Sequence, residues 1–204
     1  MRRMKRTSSG FSVIELMIAL LIAAIVLAMG APSFTEFRKN NRLTGNANDF
    51  LGAVQTARTE AIKRQVRVSV CPSADPLAAV PVCAAGDFRG WVVFVDRDQN
   101  CQRTGVELQQ TDLVRVGGPV DAAVNVKSNG GCITFDSTGF TFAAGGAPSA
   151  SRVVFCDDRG DATQSGTLSY AREVEIVNVG RSRITREQND LTVDNGVGPV
   201  VGCP

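Results

Sequence analysis

The first part of the chain is dominated by one long apolar run. From Phe11 to Ala31 the sequence is apolar except at Ser12 and Glu15. With a helical rise of about 1.5 Å per residue, a run of this length spans a hydrocarbon core of about 30 Å. The pattern therefore predicts a transmembrane helix over residues 11–31. Lysine and arginine residues precede it, which predicts a cytoplasmic start and a translocated remainder.

Beyond the apolar run, the pattern becomes that of an amphipathic helix. Pro32 lacks a backbone N–H and its ring clashes with the preceding turn, so we expect a kink or local melting there. Apolar residues then recur mostly at three- and four-residue intervals. They are Phe34, Phe37, Leu43, Phe50, Leu51, Val54, Ala57, Ala61 and Ile62. We expect the amphipathic continuation to cover residues 32–65, with helix to about Lys63 and the apolar stripe against the following domain.

Basic residues are frequent on this second helical segment. They are Arg38, Lys39, Arg42, Arg58, Lys63 and Arg64. Their spacing predicts a solvated or groove-facing set rather than a binding site.

From residue 66 to residue 204 the sequence pattern changes to short runs of β-branched residues separated by Gly, Asn, Asp and Pro. Such runs are typical of antiparallel strands. The predicted strands cover residues 66–70, 90–95, 132–135, 152–156 and 173–176. A long helix packed on one or two small antiparallel sheets is an α+β architecture.

The charge of the chain is unevenly distributed. Four of the 22 basic residues lie within the first ten positions, so 18 remain against 20 acidic residues in the rest. A chain with that balance is not a general polyanion binder, and nucleic-acid affinity would require a local patch. The chain has no histidine, which excludes Ser-His-Asp and Cys-His catalysis and imidazole metal ligands.

All six cysteines follow the apolar run, and none forms a CxxC motif. An even number in a translocated domain favours disulfides over buried free thiols. Six cysteines allow many connectivities. We expect the pairs Cys71–Cys83, Cys101–Cys132 and Cys156–Cys203. The last pair would hold the C-terminal tail, which contains little to bury.

The start of the apolar run carries a specific motif. Ala28 to Ala31 could be mistaken for a signal-peptide cleavage site, but Glu15 argues against that because a carboxylate inside an anchor is costly. Gly10, Phe11 and Glu15 after a short basic leader resemble the type IV pilin and pseudopilin superfamily. The resemblance implies that a prepilin peptidase removes residues 1–10 and that Phe11 is methylated. It also implies that Glu15 pairs with the N-terminal amine of a neighbouring subunit.

The order of features in the β-rich part resembles one branch of that superfamily. The features are Cys71-Pro72, Gly90 to Asp96, Thr134 to Asp136 with Gly139, Phe155 to Gly160, and Gly180 to Arg183. They are similar to the GspH/FimT branch, which contains minor type IV pilins and the minor pseudopilin H of type II secretion. This resemblance implies a pilin fold over nearly the whole chain.

One polar segment matches a calcium loop in part. Asp96, Asp98, Asn100 and Glu107 occupy the first, third, fifth and twelfth positions of an EF-hand loop. The loop's glycine is replaced by Cys101, and a strand rather than a helix precedes it. A polar turn is therefore the favoured interpretation, and we expect no metal or other cofactor.

A basic motif follows the last predicted strand. Gly180, Arg181, Arg183 and Arg186 resemble the glycine-arginine-any-arginine motif of FimT-like pilins that capture DNA. Two arginines one residue apart on an extended segment can point to the same side and contact successive phosphates. Nearby acidic residues leave a structural alternative open, in which the arginines form salt bridges at a turn. The acidic residues are Glu173, Glu175 and Glu187.

These observations predict a minor pilin in a type IV pilus, with other pilins, the prepilin peptidase, the inner membrane and DNA as its partners. The single-pass anchor would leave the globular domain in the periplasm. The alternative is the pseudopilin H of a type II secretion system. A membrane-anchored enzyme is disfavoured because the sequence has no phosphate-cradling loop and no convincing pair of catalytic carboxylates.

Overall fold

The computed structural model describes residues 10–142, 151–160, 162–187 and 203, with side chains at all of these except 29–32 and 187. The chain divides into an N-terminal segment that ends at Lys39 and a compact unit that begins at Asn40. The compact unit contains the last part of one long helix and two antiparallel sheets.

The only helix longer than one turn in the described residues is α1, which spans Val13–Arg64. It ends because Gln65 adopts a left-handed conformation with φ 56°, and the N–H of Val66 then donates to the carbonyl of Ala61. α1 is continuous through position 32, so the local melting considered there is not present. The bend expected at Pro32 stays a prediction.

In the compact unit, one face of α1 is fully buried. Its members recur every three or four residues: Leu43, Ala47, Phe50, Val54, Ala57 and Ala61. The alanines let the helix approach the sheets closely, while Phe50 fills the centre. The Phe50 ring lies 5.0 Å from Phe88, 5.1 Å from Trp91 and 5.8 Å from Phe155 between centroids. Truncating such a ring to alanine typically costs about 3–5 kcal/mol.

The first sheet has five antiparallel strands in the order β3-β2-β1-β5-β6. Their bounds are β1 Val68–Pro72, β2 Trp91–Val95, β3 Leu113–Gly117, β5 Ile133–Phe135 and β6 Thr141–Phe142. A single 3-10 turn, Gly105–Leu108, lies between β2 and β3. The strands at the centre of this sheet, β1 and β2, are buried along their whole length.

The second sheet has the order β10-β9-β7-β4, and β8 pairs with β9 outside that path. Its strands are β4 Asn125–Ser128, β7 Ser151–Cys156, β8 Thr163–Ser165, β9 Leu168–Ile176 and β10 Ser182–Glu187. One core contains the buried face of α1 and residues of both sheets. The expected α+β architecture, a long N-terminal helix with antiparallel sheets, is confirmed.

Three disulfides cross-link the β-rich unit. They join Cys71 to Cys83, Cys101 to Cys132 and Cys156 to Cys203, which are the pairs named from the sequence. Cys203 packs on a small apolar cluster formed by Val154, Cys156 and Ala171. The third disulfide therefore fixes the end of the chain to β7.

Candidate functional site

The N-terminal motif lies at the beginning of α1. Gly10 and Phe11 precede the helix, and the N–H of Leu16 donates to the carbonyl of Ser12 in the first turn. Glu15 lies in that first turn and is exposed. A carboxylate there is favoured by the positive end of the helix dipole. The side chain of Glu15 is thus open to a partner on another molecule.

The apolar side chains that follow are exposed in the part of the chain that the structure describes. Large side chains from Phe11 to Leu27 are more than half exposed. An 18-residue window in α1 has a mean hydropathy of 2.7, and none of it is buried. Apolar surface of this extent requires lipid or the equivalent helices of other subunits. The apolar helix therefore indicates a membrane-anchored chain.

The C-terminal basic motif begins in a tight turn. The last predicted strand covered residues 173–176; β9 ends at Ile176, and a turn occupies residues 177–181. The N–H of Gly180 donates to the carbonyl of Val177, whose own N–H donates to the carbonyl of Arg181. Gly180 has φ +73°, which a residue with a side chain rarely adopts. β9 ends at Ile176 because this turn reverses the chain into β10.

Arg58 of α1 fixes this turn. Its Nε donates to the carbonyl of Gly139 at 3.2 Å, and its Nη2 donates to the carbonyl of Val179 at 3.3 Å. The sequence placed Arg58 in a solvated or groove-facing set, and the structure has it half-buried against these two loops. Arg58 binds two loops that are far apart in sequence, so helical periodicity alone could not identify its role.

Arg181 and Arg183 have different surroundings. Arg181 is exposed, and within the described part of the chain its guanidinium has no hydrogen-bond or ion-pair partner. Arg183 lies opposite Glu175 in the β9–β10 pairing, and its Nε donates to that carboxylate at 2.6 Å. About half of the Arg183 side chain remains exposed. The turn therefore presents one open guanidinium and one that is partly neutralised.

Glu175 belongs to a buried charge ladder across three strands. Arg152 of β7 lies 3.3 Å from Glu173 and 3.9 Å from Glu175, and all three are almost completely buried. Buried charges of this kind require partners, because an unpaired one is strongly destabilising. Salt bridges near the motif were one interpretation of the sequence, but its local pattern did not identify Arg152 as a partner.

Arg186 is separate from the exposed pair. Its guanidinium donates to the side-chain oxygen of Gln164 and to the carbonyl of Ser169. It is half-buried and lies beside Arg172, whose pKa falls to about 10 through burial and the charges of Arg186 and Arg159. These contacts assign Arg186 to sheet packing, which leaves Arg181 and Arg183 as the candidate contacts.

The partial calcium-loop motif is folded into one cluster. One carboxylate oxygen from each of Asp96, Asp98 and Glu107 lies within 4.8 Å of the other two. Asn100 donates to Asp98 at 2.7 Å. The sequence favoured a simple polar turn, but folding brings the first, third and twelfth positions together.

A long, exposed apolar helix that starts at a prepilin-like motif and leads into a disulfide-linked α+β unit defines a pilin-like subunit. Two family models match the chain. The model described as Type II transport protein GspH matches residues 46–180, and the prokaryotic N-terminal methylation motif matches residues 5–31. The chain belongs to the GspH family, as the order of its motifs implied.

Two solved structures are similar to this chain. They are two crystal forms of the type IV minor pilin FimU from Pseudomonas aeruginosa strain PAO1, with TM-scores of 0.49 and 0.47. The sequence identities are 18% and 15%, and the alignments cover 72% and 70% of this chain and 91% of each FimU chain. Among curated proteins, none matches this chain.

Proposed function

We propose that this chain is a minor pilin that assembles into a type IV pilus through α1. Its single-pass anchor holds it in the inner membrane with the compact unit in the periplasm until assembly. Membership of the GspH family and the N-terminal methylation motif support this proposal. Pilin-family proteins are structural, so we assign no reaction to the chain.

Assembly depends on the three motif residues at the start of α1. A prepilin peptidase cuts after Gly10, and the new amine of Phe11 is methylated. Glu15 then pairs with that amine on a neighbouring pilin, where the low dielectric between apolar helices strengthens the attraction. The exposed first turn of α1 supports this role, because the carboxylate of Glu15 is accessible.

A substitution at Glu15 tests the assembly role. Glu15→Gln removes the charge while keeping the size of the side chain, so the chain should be processed normally but be absent from sheared filaments. Glu36→Gln makes the same change farther along α1 and should leave incorporation unchanged. Equal incorporation of Glu15→Gln and the parent would contradict the proposed pairing.

We further propose that the turn at residues 177–181 contacts DNA through phosphate groups. The open guanidinium of Arg181 carries this proposal, because it is exposed on a turn that Gly180 and Arg58 fix in place. Arg183 contributes less, since Glu175 already accepts a hydrogen bond from its Nε. The motif has no aromatic side chain that could stack on bases. The arginines therefore contact the phosphate backbone of the DNA, and binding is independent of the base sequence.

A salt series on the full-length chain in neutral detergent tests this contact. The affinity for duplex DNA should fall as the salt concentration rises. In a plot of log affinity against log salt concentration, Arg181→Ala should reduce the steepness of the slope by about 0.9, the value for one lost phosphate contact. Arg183→Ala should reduce the slope by less.

Arg115→Ala is the matched control for the salt series. It removes the same charge from β3, whereas the 177–181 turn adjoins β6 at the opposite edge of the first sheet. The slope should remain that of the parent. Parent protein that does not bind DNA at low salt, or an equal loss from Arg115→Ala, would overturn the DNA-contact proposal.

The second candidate function is a minor pseudopilin of a type II secretion system. The description of the matching family as a type II transport protein favours this candidate. Deletion of the encoding gene separates the two functions. Loss of surface pili and of DNA uptake supports the minor pilin, whereas loss of an exported protein with normal pili supports the pseudopilin.

A further inference from the structure

The loop after β2 holds a buried carboxylate with an unused oxygen. Asp96 follows directly after β2 and is only 2% exposed. Its Oδ2 accepts hydrogen bonds from the hydroxyl of Ser69 at 2.6 Å and from the N–H of Cys101 at 3.2 Å. Its Oδ1 is buried and has no hydrogen-bond partner in the described part of the chain. Leaving a charged oxygen in this state is costly.

A second buried carboxylate in the same loop also has an oxygen without a hydrogen-bond partner among the described residues. Glu107 lies in the 3-10 turn and is completely buried. Its Oε1 accepts hydrogen bonds from the N–H of Arg97 at 2.6 Å and of Asp98 at 3.3 Å. Its Oε2 is buried and has no hydrogen-bond partner among the described residues. Two acidic side chains in one loop therefore each present an unused oxygen.

The third acidic residue opens the cluster to solvent. Asp98 is exposed, and among the described residues its carboxylate accepts hydrogen bonds from the N–H and the side-chain amide of Asn100 alone. One oxygen from each of the three acidic residues lies within 4.8 Å of the others. Calcium binds oxygens at about 2.3–2.6 Å, so two ligands across one ion are separated by about 5 Å or less. The cluster is compatible with that span.

Neighbouring arginines do not neutralise these carboxylates by hydrogen bonding. The guanidinium of Arg97 donates to Asp112 at 3.0 Å and 2.7 Å. The guanidinium of Arg103 donates to the carbonyls of Pro81, Leu108 and Gln109. Three carboxylates whose oxygens lie within 4.8 Å of one another repel each other, and a bound cation would offset that repulsion.

The backbone of the loop makes the turn that a calcium loop needs at its sixth position. That position normally holds glycine. Here Cys101 adopts φ 58°, in the left-handed region, although it has a side chain. Its disulfide to Cys132 and its N–H contact with Asp96 hold it in place. The missing glycine is therefore no obstacle to this loop conformation.

We propose that Asp96, Asp98 and Glu107 form a calcium site in the loop between β2 and β3. Asp96 and Glu107 each have one buried oxygen without a hydrogen-bond partner among the described residues, and Asp98 adds an exposed carboxylate to the cluster. Calcium takes six to eight oxygen ligands, so other oxygens of the loop and water supply the remaining ones. Occupancy links the end of β2 to the 3-10 turn through one ion.

Equilibrium dialysis with radioactive calcium tests the site on the full-length, chelator-treated chain in detergent. One ion should bind per chain, with a dissociation constant on the order of 10⁻⁴ M, as for other extracellular calcium modules. Glu107→Gln should abolish this binding. Asp98→Asn should weaken it by roughly tenfold or more, because affinity follows the number of charged ligands.

Two comparisons make the outcome decisive. Asp98 is exposed, so Asp98→Asn is expected to fold even if Glu107→Gln does not, and circular dichroism checks both variants. Asp75→Asn removes a charge from another exposed loop position and should bind like the parent. No saturable binding up to about 10 mM calcium would overturn the proposal, since that exceeds the weakest modules of this kind. Parent-like binding by Asp98→Asn, or equal affinity for magnesium, would also overturn it.

Discussion

Glu175 and Arg183 face each other across the β9–β10 pair, and the Nε of Arg183 donates to the Glu175 carboxylate at 2.6 Å. The same carboxylate lies 3.9 Å from the buried guanidinium of Arg152. The carboxylate of Glu175 therefore interacts with both the buried guanidinium of Arg152 and the half-exposed guanidinium of Arg183. This arrangement limits the positive charge that Arg183 can offer to an external anion, and it supports unequal contributions from the two arginines of the motif.

Removal of the Glu175 charge should increase DNA binding. In Glu175→Gln, the amide keeps a hydrogen bond to Arg183 but no longer cancels its charge. The log–log salt slope should become steeper by up to about 0.9, the value of one added phosphate contact. Filter binding across a salt series measures this change. A weaker affinity in a variant with a parent-like circular dichroism spectrum would contradict the proposed role of Arg183.

The strands that sequence analysis predicted are the central ones. β1, β2, β5, β7 and β9 overlap the five predicted strands, and most of their buried positions hold apolar or β-branched residues. The strands that were not predicted include all four sheet edges: β3, β6, β10 and β4. These edge strands carry polar side chains, among them Arg115, Lys127 and Arg183. Local pattern gives a weak signal for such segments.

The candidate site was predictable only in part for a related reason. Local spacing identified Gly180, Arg181 and Arg183, and likewise the acidic residues of the loop after β2. The partners that distinguish their environments are distant in sequence, as with Arg58 beneath the 177–181 turn and Ser69 beside Asp96. Such contacts depend on sheet order and helix packing, which a local motif does not encode.

Gly180 should be much less tolerant of substitution than another glycine with positive φ. A Cβ at Gly180 would overlap the carbonyl of Gly139 and lie 3.0 Å from Nε of Arg58. We expect Gly180→Ala to lower the free energy of unfolding by about 2 kcal/mol or more, because backbone strain adds to the clash. Gly166→Ala, at φ +60° with open space around it, should cost only about 1 kcal/mol. Denaturant unfolding compares the two, and equal losses would contradict the clash.

Asp136 should make stability depend on pH in acid. Burial alone would raise its pKa, but hydrogen bonds from Thr138, Phe140 and Gly139 lower it below the ordinary value of 3.8. Because the folded pKa is below the unfolded one, the stabilisation is complete above about pH 4–5 and is lost as pH falls through the folded pKa. The difference in Tm between the parent and Asp136→Asn should therefore shrink from pH 6 to pH 3. A difference independent of pH would exclude this charge effect, and Asp75→Asn serves as the control.

Gly10 should decide whether the chain is processed. In the proposed prepilin, the scissile bond follows Gly10, and a branched side chain beside its carbonyl would hinder the peptidase. Gly10→Val should therefore leave the first ten residues attached and keep the chain out of filaments. Intact mass spectrometry of the membrane fraction distinguishes this precursor from a chain that begins at methylated Phe11. Gly131→Val changes a glycine with open space at its Cβ position and should be processed like the parent. Normal cleavage of Gly10→Val would remove the basis for the leader, and with it the amine that Glu15 is proposed to bind.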